Sequence, residues 1–183
     1  MVENDKSLLE SICKELNYNK PLVFLKNNDH IAKNGYISND MYLLVIYNAQ
    51  ISNDLKAIGV NQCKSLNLTF PHNLDQKYYS HFIRGYFDGD GSYCHRYAEN
   101  YGWRDVVTFT STEVFCKALK EIINENSNAK GGNIYDASCH NRITKVLSFS
   151  GARQVKSLLD YLYKDAELFL YRKYNLYIST FYS

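Results

Sequence analysis

The sequence lacks a long apolar segment and has little net charge. No apolar run approaches the ~20 residues that a membrane-spanning helix needs, and the first residues, MVENDKSLLE, are too polar for a signal peptide. We therefore expect a soluble cytoplasmic protein with no membrane partner. The formal net charge is only +2, so nucleic-acid binding would require the basic side chains to be grouped on one face.

The sequence also lacks paired cysteines. Its five cysteines are odd in number, and none forms a C-x-x-C pair. This argues against a disulfide framework and indicates a reducing compartment. Cys94-His95 and Cys139-His140 suggest a metal site, but neighbouring residues on a strand point to opposite faces, so neither pair chelates readily. Buried or surface thiols are the simpler interpretation. The cysteines are Cys13, Cys63, Cys94, Cys116 and Cys139.

What is present is enough apolar sequence for a core. Hydrophobic residues make up 45% of the 183 residues and charged residues 22%, which suits one compact domain or two small halves. Hydrophobic periodicity predicts helix, strand, strand, helix over residues 7–58 and again over 113–164. It also predicts strands over 41–48 and 92–98, a helix over 113–126, and a closing helical region that runs from 152 through 174. This repeat indicates two similar α/β halves related by a pseudo-twofold axis.

The stretch IRGYFDGDGSY, residues 83–93, ends a predicted helix with two acids between glycines. A helix C-terminus carries partial negative charge, so acids there are electrostatically unfavourable. A divalent cation would resolve this, held by Asp90 and by carbonyl oxygens left free at the helix end. The alternative is that aspartate and glycine simply form a turn. An EF-hand is excluded because a loop counted from Asp88 has Tyr93 at its sixth position, where the EF-hand requires glycine.

IRGYFDGDG resembles the LAGLIDADG motif of homing endonucleases, position by position from Ile83 to Gly91. The glycines and both acids are kept, whereas Arg84 and Tyr86 replace the usual small or aliphatic residues. Flanking segments are also similar to monomeric two-repeat members of that family, over essentially the whole chain. These segments are NDLKAIGV, CKS, LTFP, TFTST, FSGARQVKSLLDYLYKDA and LYRKY.

The resemblance implies an α+β fold with two pseudo-symmetric αββαββα-type halves, whose antiparallel sheets lie along the DNA major groove. Residues 76–183 would form a complete second repeat with its motif helix at 80–91. Residues 1–75 would form a truncated first repeat, because the repeat offset places its copy of the motif before Met1.

The resemblance also implies a metal-assisted phosphodiester hydrolysis. Asp90 would be the Mg²⁺ ligand, with the Gly89 carbonyl as its companion, and Asp88 would orient or cap. Arg153 is the basic residue expected to assist, with Lys145 behind it. Surface cations near a helix start are an equally simple interpretation of Arg153.

Strand alternation and the resemblance together predict the DNA-facing residues. Ser92, Cys94 and Arg96 share one face of the strand after the motif, and Thr108 and Thr110 line the same groove. The remaining predicted DNA contacts, at strand ends or loops suited to phosphates, are Arg104 and Arg142.

Two functions remain open from the sequence. The first is a Mg²⁺-dependent endonuclease that cuts a long specific DNA site. The second is a derivative that binds without cutting: a DNA-binding regulator, an RNA maturase or an inhibitor of a nucleic-acid enzyme. One motif gives one metal site, so double-strand cleavage would require a homodimer through the 80–89 helix, packed at Gly85 and Asp88, or a partner protein that supplies a second motif helix. A monomer would at most nick.

Overall fold

The computed structural model describes residues 5–26, 40–60, 67–100, 102–137 and 144–183. The predictions for Cys63, Cys139, His140 and Arg142 lie outside these ranges. The chain divides into two compact units. One unit comprises Met1–Asn48 with Leu168–Arg172, and the other comprises Ala49–Glu167 with Lys173–Ser183. Within the described ranges, no helix is long and apolar enough to cross a membrane.

The first unit contains helix α1 (Lys6–Glu15) and a two-stranded antiparallel sheet of β1 (Val23–Leu25) and β2 (Met41–Leu43). Two contacts fix β2 and the segment after it. The Lys6 ammonium lies 5.0 Å from the centre of the Tyr42 ring, and the Tyr18 hydroxyl donates a 2.6 Å hydrogen bond to the Val45 carbonyl. Only Met41, Tyr42 and Leu43 pair with β1. The strand is therefore shorter than the one predicted over 41–48.

The second unit begins with helix α2 (Ala49–Ala57), followed by a short 3₁₀ helix (Gln76–Tyr78) that runs into α3 (Tyr79–Asp90). Its other elements alternate strand pairs with helices. They are β3 (Ser92–Ala98), β4 (Gly102–Ser111), α4 (Glu113–Asn126), β5 (Asn133–Asp136), β6 (Lys145–Ser150), α5 (Ala152–Tyr163) and α6 (Tyr171–Phe181).

Strands β3 to β6 form one antiparallel sheet in the order β3-β4-β6-β5. Because side chains alternate along each strand, its inner face carries apolar residues that α4 and α5 cover. Each such large side chain contributes about 1.5–3 kcal/mol when fully buried. The fully buried members of this core include Val107, Phe109, Phe115, Leu119, Ile123, Leu147, Val155, Leu158 and Leu159.

Helix α4 illustrates how the sequence specifies these elements. The Thr112 side chain accepts a hydrogen bond from the Phe115 amide, which caps the helix start. The buried positions Phe115, Leu119 and Ile123 recur every four residues and form one face toward the sheet. The structure confirms the predicted bounds of α4, and it also confirms those of β3.

The predicted α+β class with antiparallel sheets is confirmed, as is the element order helix, strand, strand, helix in both segments. The assignment of residues 1–75 to a truncated repeat stays a prediction. The expected continuous closing helix is wrong. Helix α5 ends at Tyr163, the Ala166 amide donates to the Tyr163 carbonyl in a turn, and α6 begins only at Tyr171.

Candidate functional site

Helix α3 has two faces of different character. Ile83 and Phe87 are fully buried in the core of the second unit. Gly85 and Gly89, one helical turn apart, are exposed on another side, and we call them the glycine stripe. A Cβ built at either position meets no atom within 4 Å. Asp90, the last residue of α3, is exposed too, so its carboxylate is accessible.

An apolar groove of about 340 Å³ runs beside the glycine stripe. One wall is Phe82 and Tyr86 of α3, and the other includes Val60, Leu68 and Pro71. The Tyr86 hydroxyl donates a 2.8 Å hydrogen bond to a β4 carbonyl, which holds its ring in place. Burial raises the pKa of Tyr86, and the nearby charge of Asp90 adds to this. Asp90 also lines the groove, so the exposed carboxylate borders this apolar space.

Lys173 of α6 binds the end of α3 and was not identified from the sequence. Its side chain is 5% exposed, and its ammonium donates to the carbonyls of Phe87, Asp88 (3.2 Å) and Gly91 (2.6 Å). This buried cation supplies positive charge where the helix dipole is negative. These three acceptors do not include the Gly89 carbonyl, the oxygen predicted to accompany Asp90.

The opposite side of α3 packs on α5 through polar contacts. Asp88 is 5% exposed and accepts a 3.3 Å hydrogen bond from the Tyr163 hydroxyl. Arg84 donates to the Leu162 carbonyl at 3.2 Å. Burial lowers the pKa of Arg84, and the negative charge of Asp88 offsets part of this effect. Asp88 therefore lies between α3 and α5 rather than on the exposed stripe, which suits an orienting role.

The oxygen donors at the end of α3 fit a hard divalent cation. Asp90 offers an exposed carboxylate and Gly89 a backbone carbonyl. Among the residues that the structure describes, no three His, Cys, Asp or Glu side chains converge on one point. Mg²⁺ is commonly bound through one or two carboxylates, with waters and substrate phosphates completing its octahedron. This donor set matches such a shared site rather than a cage made by the protein alone.

The two predicted basic residues have different surroundings. Arg153 is exposed in the first turn of α5. Tyr163, which contacts Asp88, lies at the other end of α5, about 15 Å along the helix axis. Lys145 donates a 2.6 Å ion-paired hydrogen bond to Asp136, which raises its pKa. Lys145 is therefore engaged on the sheet, whereas Arg153 is accessible.

The outer face of the four-stranded sheet is polar. The register pairs Arg96 with Arg104 and Ser92 with Thr108, so the predicted DNA-facing residues of β3 and β4 do share one face. Arg104 lies within β4 rather than at a strand end. Alternation adds members that were not predicted, and the described face contains no Asp or Glu. Its residues are Ser92, Cys94, Arg96, Ala98, Gly102, Arg104, Val106, Thr108, Thr110, Asn133, Tyr135, Val146, Ser148 and Ser150.

The inner side of the β3–β4 hairpin is held by a buried acid. Asp105 is 3% exposed and binds His95 Nδ1 at 2.8 Å and the Tyr93 hydroxyl at 3.1 Å. The Trp103 ring stacks on His95 with centroids 4.5 Å apart. Burial raises the pKa of Tyr93. These contacts keep the only acid inside β4 away from the outer face.

Together these features define an α+β fold in which an acid-ended helix leads directly into an antiparallel sheet with one helical layer and one polar open face. It is the fold of the LAGLIDADG homing endonucleases, as the motif predicted. The solved I-LtrWI LAGLIDADG homing endonuclease, bound to target DNA, matches with a TM-score of 0.56 and 12% identity, over 99% of this chain and 76% of that one.

Two complexes of the homing endonuclease I-CvuI match less extensively, with a TM-score of 0.37 and 14% and 16% identity. These alignments cover 48% of this chain and only 55% of the I-CvuI chain. No protein-family model matches the sequence, and no curated protein matches it significantly.

Proposed function

We propose that this chain is a homing-endonuclease-like protein that binds double-stranded DNA and hydrolyses a phosphodiester bond with Mg²⁺ at Asp90. The observation that carries the proposal is the exposed Asp90 carboxylate, two residues before the first strand of a sheet whose described outer face bears Arg96 and Arg104 and no acid. The two parts of this proposal, binding and cleavage, rest on different residues and are separately testable.

DNA binding is supported by the outer face of the sheet. A β-ribbon fits the B-DNA major groove, and Arg forms bidentate hydrogen bonds with guanine or phosphate. Arg96 and Arg104 supply the charge, while Thr108, Thr110 and Asn133 supply uncharged donors and acceptors. I-LtrWI, which shares the fold, was solved bound to target DNA. The outer face extends across four strands, which suits a DNA site of several base pairs.

Cleavage would depend on a few groups at the end of α3. A bound Mg²⁺ supplies a Lewis acid that stabilises charge on a phosphate and makes a bound water a better nucleophile. The Asp90 carboxylate and the Gly89 carbonyl would hold it, and Asp88 orients the turn from its bond with Tyr163. Arg153 would contact a phosphate from its exposed position, with Lys145 as the weaker choice because Asp136 already binds it.

The glycine stripe supports a second motif helix at this site. Glycine inside a helix costs about 1 kcal/mol relative to alanine, yet no atom of the described residues requires a missing Cβ at Gly85 or Gly89. Close approach of another helix would explain both glycines. We propose a second copy of this chain, paired through the 80–89 helix, which would bring two Asp90 carboxylates together. A separate partner protein with its own motif helix is the alternative.

The molar mass in solution, measured by light scattering across concentration, tests this pairing. We expect a dimer that Gly85→Arg converts to a monomer, since the arginine side chain would fill the space beside the stripe. A cleavage screen with Mg²⁺ follows, with Asp90→Asn as the control. A strict monomer that leaves every DNA uncut at all concentrations would contradict the cleavage proposal.

A second function is favoured by one observation: the sequence contains a single copy of the motif. With one metal site the protein would nick, or would bind without cutting as a DNA-binding regulator, an RNA maturase or an inhibitor of a nucleic-acid enzyme. Competition between duplex DNA and structured RNA for the protein separates these possibilities. Specific binding that persists with Mg²⁺ and leaves the DNA intact would favour them over the nuclease.

A further inference from the structure

Lys173 is a buried cation that touches the helix end carrying Asp90. Its ammonium lies 4.5 Å from the centre of the Phe87 ring and donates to the carbonyls of Phe87, Asp88 and Gly91. These three carbonyls lie on both sides of Asp90 along the chain. One side chain therefore fixes the backbone before and after the exposed carboxylate.

The chain turns tightly at Gly91, where Lys173 binds. A Cβ there would lie 2.6 to 2.9 Å from atoms of Phe87, so the chain folds back tightly as it leaves α3. The Gly91 amide donates to the Phe87 carbonyl at 2.9 Å, and Lys173 binds that same carbonyl and the Gly91 carbonyl. The turn is thus closed by one backbone bond and by the ammonium.

Lys173 is itself held by the packing of α6 on α5. The Tyr177 hydroxyl, one helical turn further along α6, donates a 2.6 Å hydrogen bond to Asp160 of α5. Asp160 also accepts from Lys156 at 2.9 Å and from Tyr182 at 2.8 Å. This network fixes the rotation of α6 and hence the direction of the Lys173 stem.

We propose that Lys173 is a positioning residue that sets the Asp90 carboxylate and the Gly89 carbonyl in the geometry of a divalent-cation site. By binding the carbonyls of Phe87, Asp88 and Gly91, it holds the backbone on both sides of Gly89 and Asp90. It acts through the backbone and does not touch the ion. The cation part of this inference rests on the proposed function, whereas the fixation of the turn does not.

Two variants separate geometry from charge. Lys173→Gln keeps an N–H donor without charge, and Lys173→Arg keeps the charge with a different shape. Lys164→Gln, an exposed lysine at the end of α5, is the matched control. Two measurements are made on each folded protein: amide hydrogen exchange of residues 87–92 without metal, and Mn²⁺ affinity by electron paramagnetic resonance, with Asp90→Asn defining the signal that belongs to the site.

We expect both Lys173 variants to accelerate exchange of this turn at least tenfold beyond any change in global stability, and to weaken Asp90-dependent Mn²⁺ binding at least tenfold. Lys164→Gln should match the wild type in both. Binding of Mn²⁺ that tightens in Lys173→Gln and is unchanged in Lys173→Arg would mean that Lys173 acts only by charge, which overturns positioning.

The remaining outcomes are also decisive. Faster exchange with unchanged Mn²⁺ affinity would make Lys173 a plain helix cap and overturn the inference, as would unchanged exchange. A wild-type protein that binds no Mn²⁺ through Asp90 contradicts the proposed catalysis, and the exchange data then decide separately whether Lys173 holds the turn. If Lys173→Gln fails to fold, Lys173→Arg supplies both measurements.

Discussion

At the scale of single residues, the glycines of the motif have different surroundings. Gly91 stands against Phe87, where a methyl group has no room. Gly85 and Gly89 face open space. Packing within the described chain therefore requires glycine at position 91. It does not require glycine at positions 85 and 89.

This difference predicts opposite effects of alanine at two neighbouring sites. Gly91→Ala should lower the free energy of unfolding by about 1–3 kcal/mol, because overpacking forces the backbone to shift. Gly89→Ala should raise it by about 0.5–1 kcal/mol, because alanine favours the helix. Urea unfolding at a concentration where the wild type is monomeric measures both. Equal effects at the two sites would contradict the steric explanation.

Asp160 gives a prediction about pH. Burial alone raises its pKa, but hydrogen bonds from Tyr177, Lys156 and Tyr182 outweigh burial and hold the pKa below the ordinary value of 3.8. A depressed folded pKa means that the carboxylate stabilises the fold above 3.8 and that this contribution is lost as the pH falls through the lower folded pKa.

We therefore expect the stability difference between wild type and Asp160→Asn to be constant near neutral pH and to shrink below about pH 4. Chemical unfolding at a series of pH values measures it. Asp165→Asn, at an exposed acid nearby, is the control and should show no such narrowing. A difference that persists unchanged in acid would mean that Asp160 acts by packing.

Residue-level predictions from the sequence succeeded where they depended on local periodicity. The common face of Ser92, Cys94 and Arg96 followed from strand alternation. The role of Lys173 was not predicted, because its hydrogen bonds join residues more than 80 positions apart in the sequence. The segment LYRKY marks it in the sequence, but spacing alone does not reveal which lysine is buried.

At the scale of elements, the β3–β4 hairpin is the clearest candidate for a DNA-reading surface. Arg96 and Arg104 are direct register partners, so their Cβ atoms are about 4.5–5.5 Å apart. Like charges placed directly opposite each other destabilise a sheet. We therefore expect the two adjacent cations to bind an anionic or acceptor group, such as a phosphate or a guanine edge.

Removing either arginine should weaken DNA binding in a salt-dependent way. For Arg96→Ala and Arg104→Ala we expect the slope of log affinity against log salt to fall by about 1 each. Lys117→Ala is the control, because Lys117 is on α4 behind the sheet and pairs with Glu113. Fluorescence anisotropy with a labelled duplex measures the slopes. Slopes equal to that of wild type would place the DNA on another surface.

Element boundaries were predictable where capping and periodicity agree. Strand β3 and helix α4 have their predicted bounds, because glycine or a threonine cap marks their starts. The strand over 41–48 was predicted too long, since apolar sequence continues beyond the three residues that pair with β1. The break between α5 and α6 was missed because the apolar pattern runs through it.

At the scale of the whole molecule, one motif leads to a prediction about stoichiometry. If two chains pair at one duplex, each Asp90 serves one strand. A mixture of wild type with Asp90→Asn should then give nicked DNA as the main product, with a maximum near equal amounts of the two proteins. A supercoiled plasmid carrying the target measures this by gel. Full double-strand cleavage in the mixture, at the wild-type rate, would contradict two separate sites.

The overall fold was predictable because a nine-residue motif and its flanks resemble one family of known fold. The I-LtrWI match over nearly the whole chain confirms that fold. The pseudo-twofold relation of the halves stays a prediction, as do the residues assigned to each half. Those depend on packing between distant segments, which hydrophobic periodicity does not encode.

The arginine pair on β3 and β4 has a thermodynamic consequence. Like charges directly opposite each other destabilise a sheet, so we expect the Arg96–Arg104 pair to raise the free energy of the unliganded fold. A bound polyanion would remove this cost while binding only the folded state. By mass action such an anion is a folding ligand. Heparin, which has no bases to read, should therefore raise the melting temperature of the wild type more than that of Arg104→Ala, and the excess should vanish at high salt.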